Sequence, residues 1–369
     1  MICEKTLYQI ALTKIKGVGI SLARALMQTI GDEEAIFKES RRNLESIPRI
    51  SPSLVDEIRS SQVLLDAEEE LEFIEKNKIR PLFFTDENYP RRLTNCVDAP
   101  LLLYDKGNID FNRTKVVSIV GTRNATRYGR DFCDKLVLDI ANSYPDTLIV
   151  SGLAYGIDIC AHRAAVQNNV STVAVLAHGL DRIYPQVHRK TAIEMLNNGS
   201  LLTEFPSKTN PDRFNFVRRN RIVAGMADAV VVVESGAKGG SLITADIANS
   251  YFREVFAVPG RPTDAESEGC NKLISNNKAI LLNDSKGLFE QMGWDLAMEA
   301  KKPIQKELFV ELTNEEQQIF EVLNDGEPKQ VNMISLELDI PVSDLFFTLL
   351  ELEMKNIVKA MPGGMYKII

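Results

Sequence analysis

The spacing of hydrophobic and polar residues changes along the chain and predicts three structural regions. In residues 1–80 the apolar residues recur at helical spacing within short segments, which predicts a domain of short helices. From Lys115 to about Asp284, nearly continuous apolar runs alternate with helix-like segments, a pattern typical of parallel strands covered by helices on both faces. The predicted strands are "VVSIVG", "TLIVSG", "TVAVLAHG", "SLLTEF", "AVVVVES", "EVFAVPG" and "AILLN".

The last part of the chain predicts a small winged helix. Helices beginning near Thr313, Val331 and Pro341 are followed by the hairpin sequence "IVKAMPGGMYKII". A chain of 369 residues has room for two or three domains, because single hydrophobic cores stop growing below that size. We therefore predict an α/β protein with a helical domain at 1–80, a parallel-sheet domain at 81–298, a linker at 299–310 and a winged helix at 311–369.

Two glycines in the N-terminal region suggest a helix-hairpin-helix motif. In "LTKIKGVGISLARALMQTIG", Gly17 and Gly19 separate two periodic segments, and such a tight turn can present N–H groups to a DNA backbone. The stretch "NLESIPRISPSLVDEI" looks like a degenerate second copy with prolines in place of the glycines. No lysine-rich surface accompanies the turn and the acidic "DAEEELEFIE" follows, so a domain that only packs stays an equal alternative.

The loop "VESGAKGGSLITADIA" has the composition of a phosphate-binding turn. A buried strand precedes it and a helix follows, so Gly239 and Gly240 lie where strand gives way to helix. Glycines let the backbone approach an anion, N–H groups at the helix start point at it, and Ser241 and Thr244 can add hydroxyl donors. The phosphate could belong to a nucleotide cofactor, a small substrate or a nucleic acid.

Two other segments supply cations of the kind that bind phosphate. In "SIVGTRNATRYGR", Gly121 permits a turn and Arg123 follows at the carboxyl end of the first strand, with a forked donor geometry that suits phosphate. The segment "NPDRFNFVRRNRIVAG" interleaves arginines with aromatic residues, as a sequence-tolerant single-strand site requires. These residues are Arg213, Phe214, Phe216, Arg218, Arg219 and Arg221.

Motifs for common cofactors and metals are missing from these loops. The dinucleotide fingerprint G-x-G-x-x-G is absent after the first strand, and no GK[ST] follows the glycines of "SGLAYGIDICAH". In that loop Asp158 and His162 stand four residues apart, which suits a pair that caps the helix and braces the loop, or less readily a catalytic pair. The histidines share no metal-ligand spacing, so we expect neither a metal nor a cofactor.

Composition bears on the choice of partner and compartment. The net charge of −8 weakens a nucleic-acid hypothesis without excluding it, because a groove depends on local charge. From Lys301 onward the chain carries 12 acidic and 7 basic side chains, so we expect the winged helix to contact protein or its own core rather than DNA. Scattered cysteines without CxxC, no signal sequence and no membrane-length apolar stretch predict a cytoplasmic protein without membrane contact.

Taken together, the motifs resemble the bacterial DNA-processing protein A family, DprA or Smf. The upstream "NYPRRLTNCVDAPLLLY" is similar to the family's lead-in to its sheet domain. The motifs that carry the resemblance, in chain order, are "VGTR", "YG", "SGLAYGIDICAH", "AVLAHGLDRIYP", "FVRRNRIVAG", "GGSLIT", "VFAVPG" and "GCNKLI".

The resemblance implies a single-stranded DNA-binding protein that is not an enzyme. Family members have an extended Rossmann-like domain, form homodimers through it, protect incoming DNA and load the RecA recombinase during natural transformation; many also have a helical N-terminal domain, SAM-like in type, and a winged helix. Carried onto this chain, the resemblance implies a DNA groove lined by Gly121, Arg123, Arg219, Asn220, Arg221, Gly239, Gly240, Ser241 and Thr244.

The chain departs from the family pattern at two positions. Members usually carry Ser-Gly-Ser where this chain has Gly239-Gly240-Ser241, so one hydroxyl donor is lost. They usually carry asparagine where His188 stands, which puts the DNA contact of that loop in doubt.

An enzyme of the related Rossmann-like class that cleaves nucleotide ribosyl bonds is the alternative. Such an enzyme would need a glutamate near the phosphate loop to serve the ribose and the leaving base. Glu234 is the nearby candidate, but it precedes the loop.

Overall fold

The computed structural model describes residues 4–294, 312–324, 326–355 and 357–368. The predicted linker at 299–310 lies outside these ranges. Within them, no helix has both the length and the apolar character that crossing a bilayer requires.

Six helices form the N-terminal region. Side chains of Asp32, Ser40 and Ser51 accept hydrogen bonds from the first turns of the helices that follow them, which fixes where those helices begin. Gly17 has φ 88°, the left-handed conformation that the predicted hairpin turn needs. The helices are α1 (Glu4–Lys14), α2 (Ile20–Ile30), α3 (Glu33–Lys38), α4 (Arg41–Glu45), α5 (Pro52–Ile58) and α6 (Ser61–Lys76).

A nine-stranded sheet, in the order β1-β2-β6-β5-β4-β3-β7-β8-β9, forms the centre of the molecule. The strands from β3 onward are parallel, as the apolar runs predict, whereas β1 and β2 are antiparallel additions that the sequence pattern did not predict. The strands are β1 (Arg80–Phe83), β2 (Leu102–Gly107), β3 (Val116–Val120), β4 (Leu148–Ser151), β5 (Ser171–Val175), β6 (Gly199–Thr203), β7 (Ala229–Val232), β8 (Glu254–Ala257) and β9 (Ile280–Leu281).

Helices cover both faces of this sheet. Alternate residues of β3 enter different cores: Val117 and Ile119 pack with α8, α9 and α14, whereas Val116 and Val120 pack with α11, α12 and α13. The helices are α7 (Arg91–Thr94), α8 (Arg127–Ser143), α9 (Ile157–Gln167), α10 (Arg189–Met195), α11 (Arg213–Gly225), α12 (Gly240–Ser250), α13 (Glu268–Ser275) and α14 (Ser285–Gln291), with a 3₁₀ turn at Gln186–His188.

The strand order reverses beside β3. The chain runs outward from β3 through β4, β5 and β6, and then returns through α11 to place β7 on the other side of β3, followed by β8 and β9. Loops that leave adjacent strands in opposite directions open a crevice at their carboxyl ends, and ligands of open α/β sheets bind there. The crevice of this sheet therefore lies above β3 and β7.

The C-terminal region is a winged helix. Its strands pair antiparallel in the order β10-β12-β11, and Gly363 and Gly364 form the turn of the predicted hairpin with φ 82° and 65°. Gln330 Nε2 donates to the carbonyl of Tyr251 over 2.9 Å, just before β8, so this region contacts the amino edge of the large sheet. Its elements are α15 (Asn314–Leu323), β10 (Lys329–Gln330), α16 (Val331–Leu338), α17 (Val342–Met354), β11 (Val358–Met361) and β12 (Met365–Ile368).

Candidate nucleic-acid interface

The loops after β3 and β7 are joined directly across the crevice. Thr122 N donates to the carbonyl of Glu234 over 2.6 Å, and Val233 N donates to the carbonyl of Val120 over 3.0 Å. A Cβ at Gly121 would lie 2.5 Å from Cγ1 of Ile157, so only glycine lets the first loop pass this close to α9. The two predicted phosphate-binding loops therefore form one surface.

Arg123 is an exposed cation at the centre of this surface. Its guanidinium lies 5.2 Å from the ring centroid of Phe216 on α11, a stacking contact that orients the side chain. Within the described ranges no carboxylate forms an ion pair with it. Arg123 therefore keeps its N–H donors available for an anion.

The start of α12 faces the same crevice. Gly239 is the N-cap, and its N–H donates to the carbonyl of Gly236 over 3.0 Å. Gly240 is the first helical residue, where N–H groups have no partner within the helix. Gly240 is exposed, and a Cβ built on it meets no atom within 4 Å. Open space above free N–H groups and the positive end of the helix dipole fits a phosphate oxygen.

Two hydroxyls that were predicted to line the groove lie inside the fold. Ser241 is 6% exposed and its Oγ donates to Ser235 Oγ over 2.8 Å, while Thr244 is 2% exposed. Both residues stand on the side of α12 that packs against the sheet. The sequence predicts the helix turn on which they stand, but in the structure their side chains face inward, so we assign them to support of the loop.

The glycine at position 239 is explained by its neighbour. A Cβ at Gly239 would lie 2.2 Å from Ser235 Oγ, so the Ser235 hydroxyl fills the space that a serine side chain at 239 would need. Ser235 is fully buried and bonded to Ser241. The loop surface therefore lacks the hydroxyl that family members carry at position 239. Inside the loop, the hydroxyl of Ser235 occupies the corresponding space.

Arg219 lies in the interior and not on the groove. It is 4% exposed, and its Nη1 donates to the carbonyls of Gly152, at 2.7 Å, and of Val175. Burial lowers the pKa of Arg219, and the nearby Asp158 carboxylate opposes that change. This burial argues against a direct contact of Arg219 with DNA, and the side chain ties α11 to the loops after β4 and β5.

Arg221 also points away from the crevice. Its side chain is 12% exposed, and it bonds to the Glu204 carboxylate and to the carbonyl of Asp98. Between the two arginines, Asn220 is half-buried and its Nδ2 lies 3.5 Å from the carbonyl of Gly240. Consecutive helical residues point about 100° apart, so of "RNR" only Asn220 lies beside the start of α12.

Exposed residues beyond the implied DNA contacts extend the surface, and two of them, Arg213 and Phe214, belong to the arginine-aromatic segment predicted from the sequence. Phe214 is 86% exposed, and Tyr184, 43% exposed, lies 5.8 Å from Phe216, ring centroid to ring centroid. Lys238 and Arg213 are exposed at the tip of the β7 loop and the first position of α11. Lys238 could have been found from the sequence, since it stands between the glycines of the loop.

Asp158 and His162 do not form the pair that their spacing suggested. Asp158 Oδ2 accepts hydrogen bonds from the N–H groups of Gly152 and Ala154, which confirms its loop-bracing role. His162 Nδ1 instead lies 2.8 Å from Thr172 Oγ1, and burial lowers the pKa of His162 to about 3, so its ring is neutral. His188 is buried too and its Nδ1 donates to the carbonyl of Leu153, so it braces the same loop.

Glu234, the carboxylate that the enzyme alternative requires, is committed to the fold. It is 2% exposed, and its oxygens accept from Thr126 N at 2.8 Å and Thr126 Oγ1 at 2.5 Å. In this position it fixes the start of α8. In the described part of the chain, no group of three or more His, Cys, Asp or Glu residues could hold a metal ion.

Two family models match the chain. The model of the DNA recombination-mediator protein A matches residues 80–293, and the model of the DprA winged helix domain matches residues 306–364. Among curated proteins, protein Smf of Synechocystis is 35% identical over 285 residues, covering 75% of this chain and 70% of the relative. The DNA processing protein DprA of Streptococcus pneumoniae is 38% identical over 205 residues, covering 56% and 72%.

Solved structures give the same result. The X-ray structure of DNA processing protein A from Streptococcus pneumoniae matches with a TM-score of 0.65 and 30% identity, over 78% of this chain and 98% of that one. DNA processing protein A from Helicobacter pylori, whose structure describes a single-stranded DNA binding mode, matches with a TM-score of 0.53 and 29% identity, over 59% and 97%.

Proposed function

The chain belongs to the DNA recombination-mediator protein A family, and from this premise we propose that it binds single-stranded DNA across the crevice above β3 and β7. The observation that carries the proposal is the exposed guanidinium of Arg123, stacked on Phe216 beside the start of α12. One phosphate would lie between Arg123 and the N–H group of Gly240 at the start of α12. Asn220 borders this position through its contact with Gly240.

Bases of the strand would stack on the aromatic residues around α11. Phe214 offers an almost fully exposed ring, and Tyr184 is partly exposed beside Phe216. Stacking on aromatic rings together with cations on the backbone gives binding that tolerates any sequence. Arg213 and Lys238 would add charge at the rim of the crevice, despite the acidic balance of the whole chain.

Binding without catalysis suits this geometry better than ribosyl cleavage. The enzyme alternative needs a carboxylate aimed at a ribose, and the buried bonds of Glu234 to Thr126 leave it no such freedom. We therefore propose a DNA-binding mediator that needs no cofactor. Incubation with nucleoside monophosphates tests the alternative, and release of free base above background would overturn this choice.

We further propose that the protein acts as a homodimer that protects incoming single strands and loads RecA onto them in the cytoplasm. Membership in the family supports this step. The outer strand β9 leaves Leu281 45% exposed at the free edge of the sheet, a surface suited to a second copy. Light scattering should give twice the mass of the chain, and strand exchange assays with and without RecA should show the loading activity.

Alanine substitutions of two arginines test the DNA site, one at the carboxyl ends of the strands and one at the amino ends. Arg123→Ala should weaken binding of a fluorescent oligothymidine by roughly 10- to 100-fold, since a hydrogen bond to a charged group contributes about 1.5–3 kcal/mol. The matched control is Arg113→Ala, which removes an arginine at the amino edge, where it bonds to the carbonyl of Asp146.

The salt dependence of oligothymidine binding gives a second measurement on the same two variants. The slope of log affinity against log salt should fall by about 0.7 in Arg123→Ala, as expected for one lost phosphate contact on a single strand. Equal affinities for the two variants would remove Arg123 from the groove.

A further inference from the structure

One face of α17 in the winged helix is apolar, and no other part of the described chain covers it. Phe347 is 75% exposed, Leu350 55% and Met354 78%. Their spacing of three and then four residues places them in one line along the helix, the narrow seam that helices use to pair with one another. The opposite face, with Leu345 and Leu349, fills the core of the winged helix.

The flanks of this seam are acidic. Asp344 and Glu351 are exposed on one side of the line, and Glu353 lies on the other side. No lysine or arginine occurs within Val342–Met354. The first cation beyond it, Lys355, bonds to both carboxylate oxygens of Glu316 on α15, at 2.7 Å.

These charges decide what can cover the seam. A DNA backbone would be repelled, because α17 holds carboxylates where a recognition helix needs cations. A second copy packed through the same face would bring Asp344, Glu351 and Glu353 against their own counterparts across a two-fold axis. A helix with apolar residues at the same spacing and lysine or arginine beside them satisfies both the seam and its flanks.

We propose that α17 is the docking site for a basic amphipathic helix of a partner protein. The seam from Phe347 to Met354 spans on the order of 10 Å, so the interface is small and the complex transient. Exposed phenylalanine and methionine side chains contribute binding energy at surfaces of this kind.

The position of the winged helix keeps this site clear of the DNA crevice. The ring of Phe346, next to the seam, lies 6.2 Å from the ring of Phe252, in the turn between α12 and β8. That turn is at the amino edge of the sheet, and the crevice is at the carboxyl edge. The partner helix and a DNA strand can therefore be held at once, and the docking site does not depend on the proposed DNA-binding function.

The test uses the full-length protein and two synthetic peptides of about two heptads. Both peptides carry leucine along one seam; one has lysine at the flanking positions and the other has glutamate there. Fluorescence anisotropy should show the lysine peptide binding at least about tenfold more tightly, a difference of about 1.4 kcal/mol. Glu351→Lys should narrow or reverse this preference, which a purely apolar contact would not do.

Matched variants at exposed positions distinguish peptide binding at the seam from nonspecific apolar binding elsewhere on the surface. Phe347→Ser should reduce binding of the lysine peptide at least about tenfold, the loss expected when an anchoring aromatic residue is removed. Leu65→Ser removes a 53% exposed leucine from α6 and should leave binding unchanged. Both side chains are exposed, so circular dichroism should show intact folds.

Three results would overturn the proposal. The first is that the wild-type chain binds the two peptides equally tightly, or binds neither of them. The second is unchanged binding in Phe347→Ser. The third comes from light scattering: an oligomer that Phe347→Ser dissociates and Leu65→Ser does not would assign the seam to a second copy of this chain.

Discussion

At the scale of single residues, exposure separates the residues that can touch a ligand from those that hold the site. Arg123 and Gly240 reach open space, whereas Arg219 and Ser241 are buried under the loops that they support. The sequence names all four because they share the same motifs. Only the packing of α11 and α12 against the sheet divides them into contacting and supporting residues.

The contact between Gly239 and Ser235 predicts a coupled pair of substitutions. Gly239→Ser should lower the free energy of unfolding by about 1–3 kcal/mol, the usual cost of overpacking, because its Cβ would lie 2.2 Å from Ser235 Oγ. Adding Ser235→Ala should recover most of that loss, since the space is then vacated.

A double-mutant cycle by urea denaturation measures this coupling. The double variant should also bind oligothymidine more tightly than the wild-type protein, because its new hydroxyl stands beside the start of α12. Additive losses without recovery would show that the two side chains do not compete for one space.

The arginines of α11 show why the sequence could not rank the site residues. The segment "RFNFVRRNR" has no apolar stripe, so its pattern does not reveal which face is buried. Arg219 points inward because its guanidinium donates hydrogen bonds there to the carbonyls of Gly152 and Val175. Those carbonyls lie 67 and 44 residues away along the chain, beyond the reach of any local pattern.

At the scale of elements, the start of α12 makes a prediction that separates binding from stability. A Cβ at Gly240 meets no protein atom, so Gly240→Ala should keep or raise stability, by up to about 1 kcal/mol. The same methyl group would enter the space assigned to a phosphate and should weaken oligothymidine binding by about fivefold or more, roughly 1 kcal/mol.

The matched control for this exchange is Gly287→Ala near the start of α14. A Cβ there makes only ordinary contacts of 3.7 and 3.8 Å, and α14 borders no predicted DNA contact. Thermal melts and anisotropy titrations compare the two variants. Undiminished binding by Gly240→Ala would mean that no ligand group approaches the first turn of α12.

Strands were predictable where burial on both faces left its mark. The parallel strands β3, β4, β5 and β7 are wholly buried and read as apolar runs. Strands β1 and β2 do not read as apolar runs. β1 lies at the edge of the sheet and contains Pro81, which an edge strand tolerates, and β2 ends in polar residues. The adjacency of β3 and β7, which creates the crevice, is a long-range pairing that no local pattern contains.

At the scale of the whole molecule, the crevice and the winged helix lie at opposite ends of the parallel strands. The crevice is at their carboxyl ends, and the winged helix contacts the turn at the amino end of β8. The family of the chain and its α/β sheet with a winged helix followed from ordered motifs and spacing. The contact of the winged helix with the turn at Tyr251 could not be predicted, because it depends on the shapes of two separately folded surfaces. The predicted linker between them lies outside the described residues.

This arrangement predicts the effect of removing the C-terminal region. Deleting the residues after Lys301 should change oligothymidine affinity by less than about threefold, under 1 kcal/mol, because the acidic winged helix lies away from the crevice. Arg123→Ala should cause the same relative loss in the shortened and full-length chains. A large loss on deletion alone would show that the winged helix itself holds DNA.

Photocrosslinking shows which loops touch a bound strand, and so tests whether single-stranded DNA crosses the crevice above β3 and β7. An oligothymidine with a photoreactive base is bound to the full-length protein, irradiated, and the linked peptides are identified by mass spectrometry. We predict links to residues 121–128, 213–220 and 236–241. Links confined to the N-terminal hairpin at 15–20 or to the winged helix at 312–368 would contradict the account.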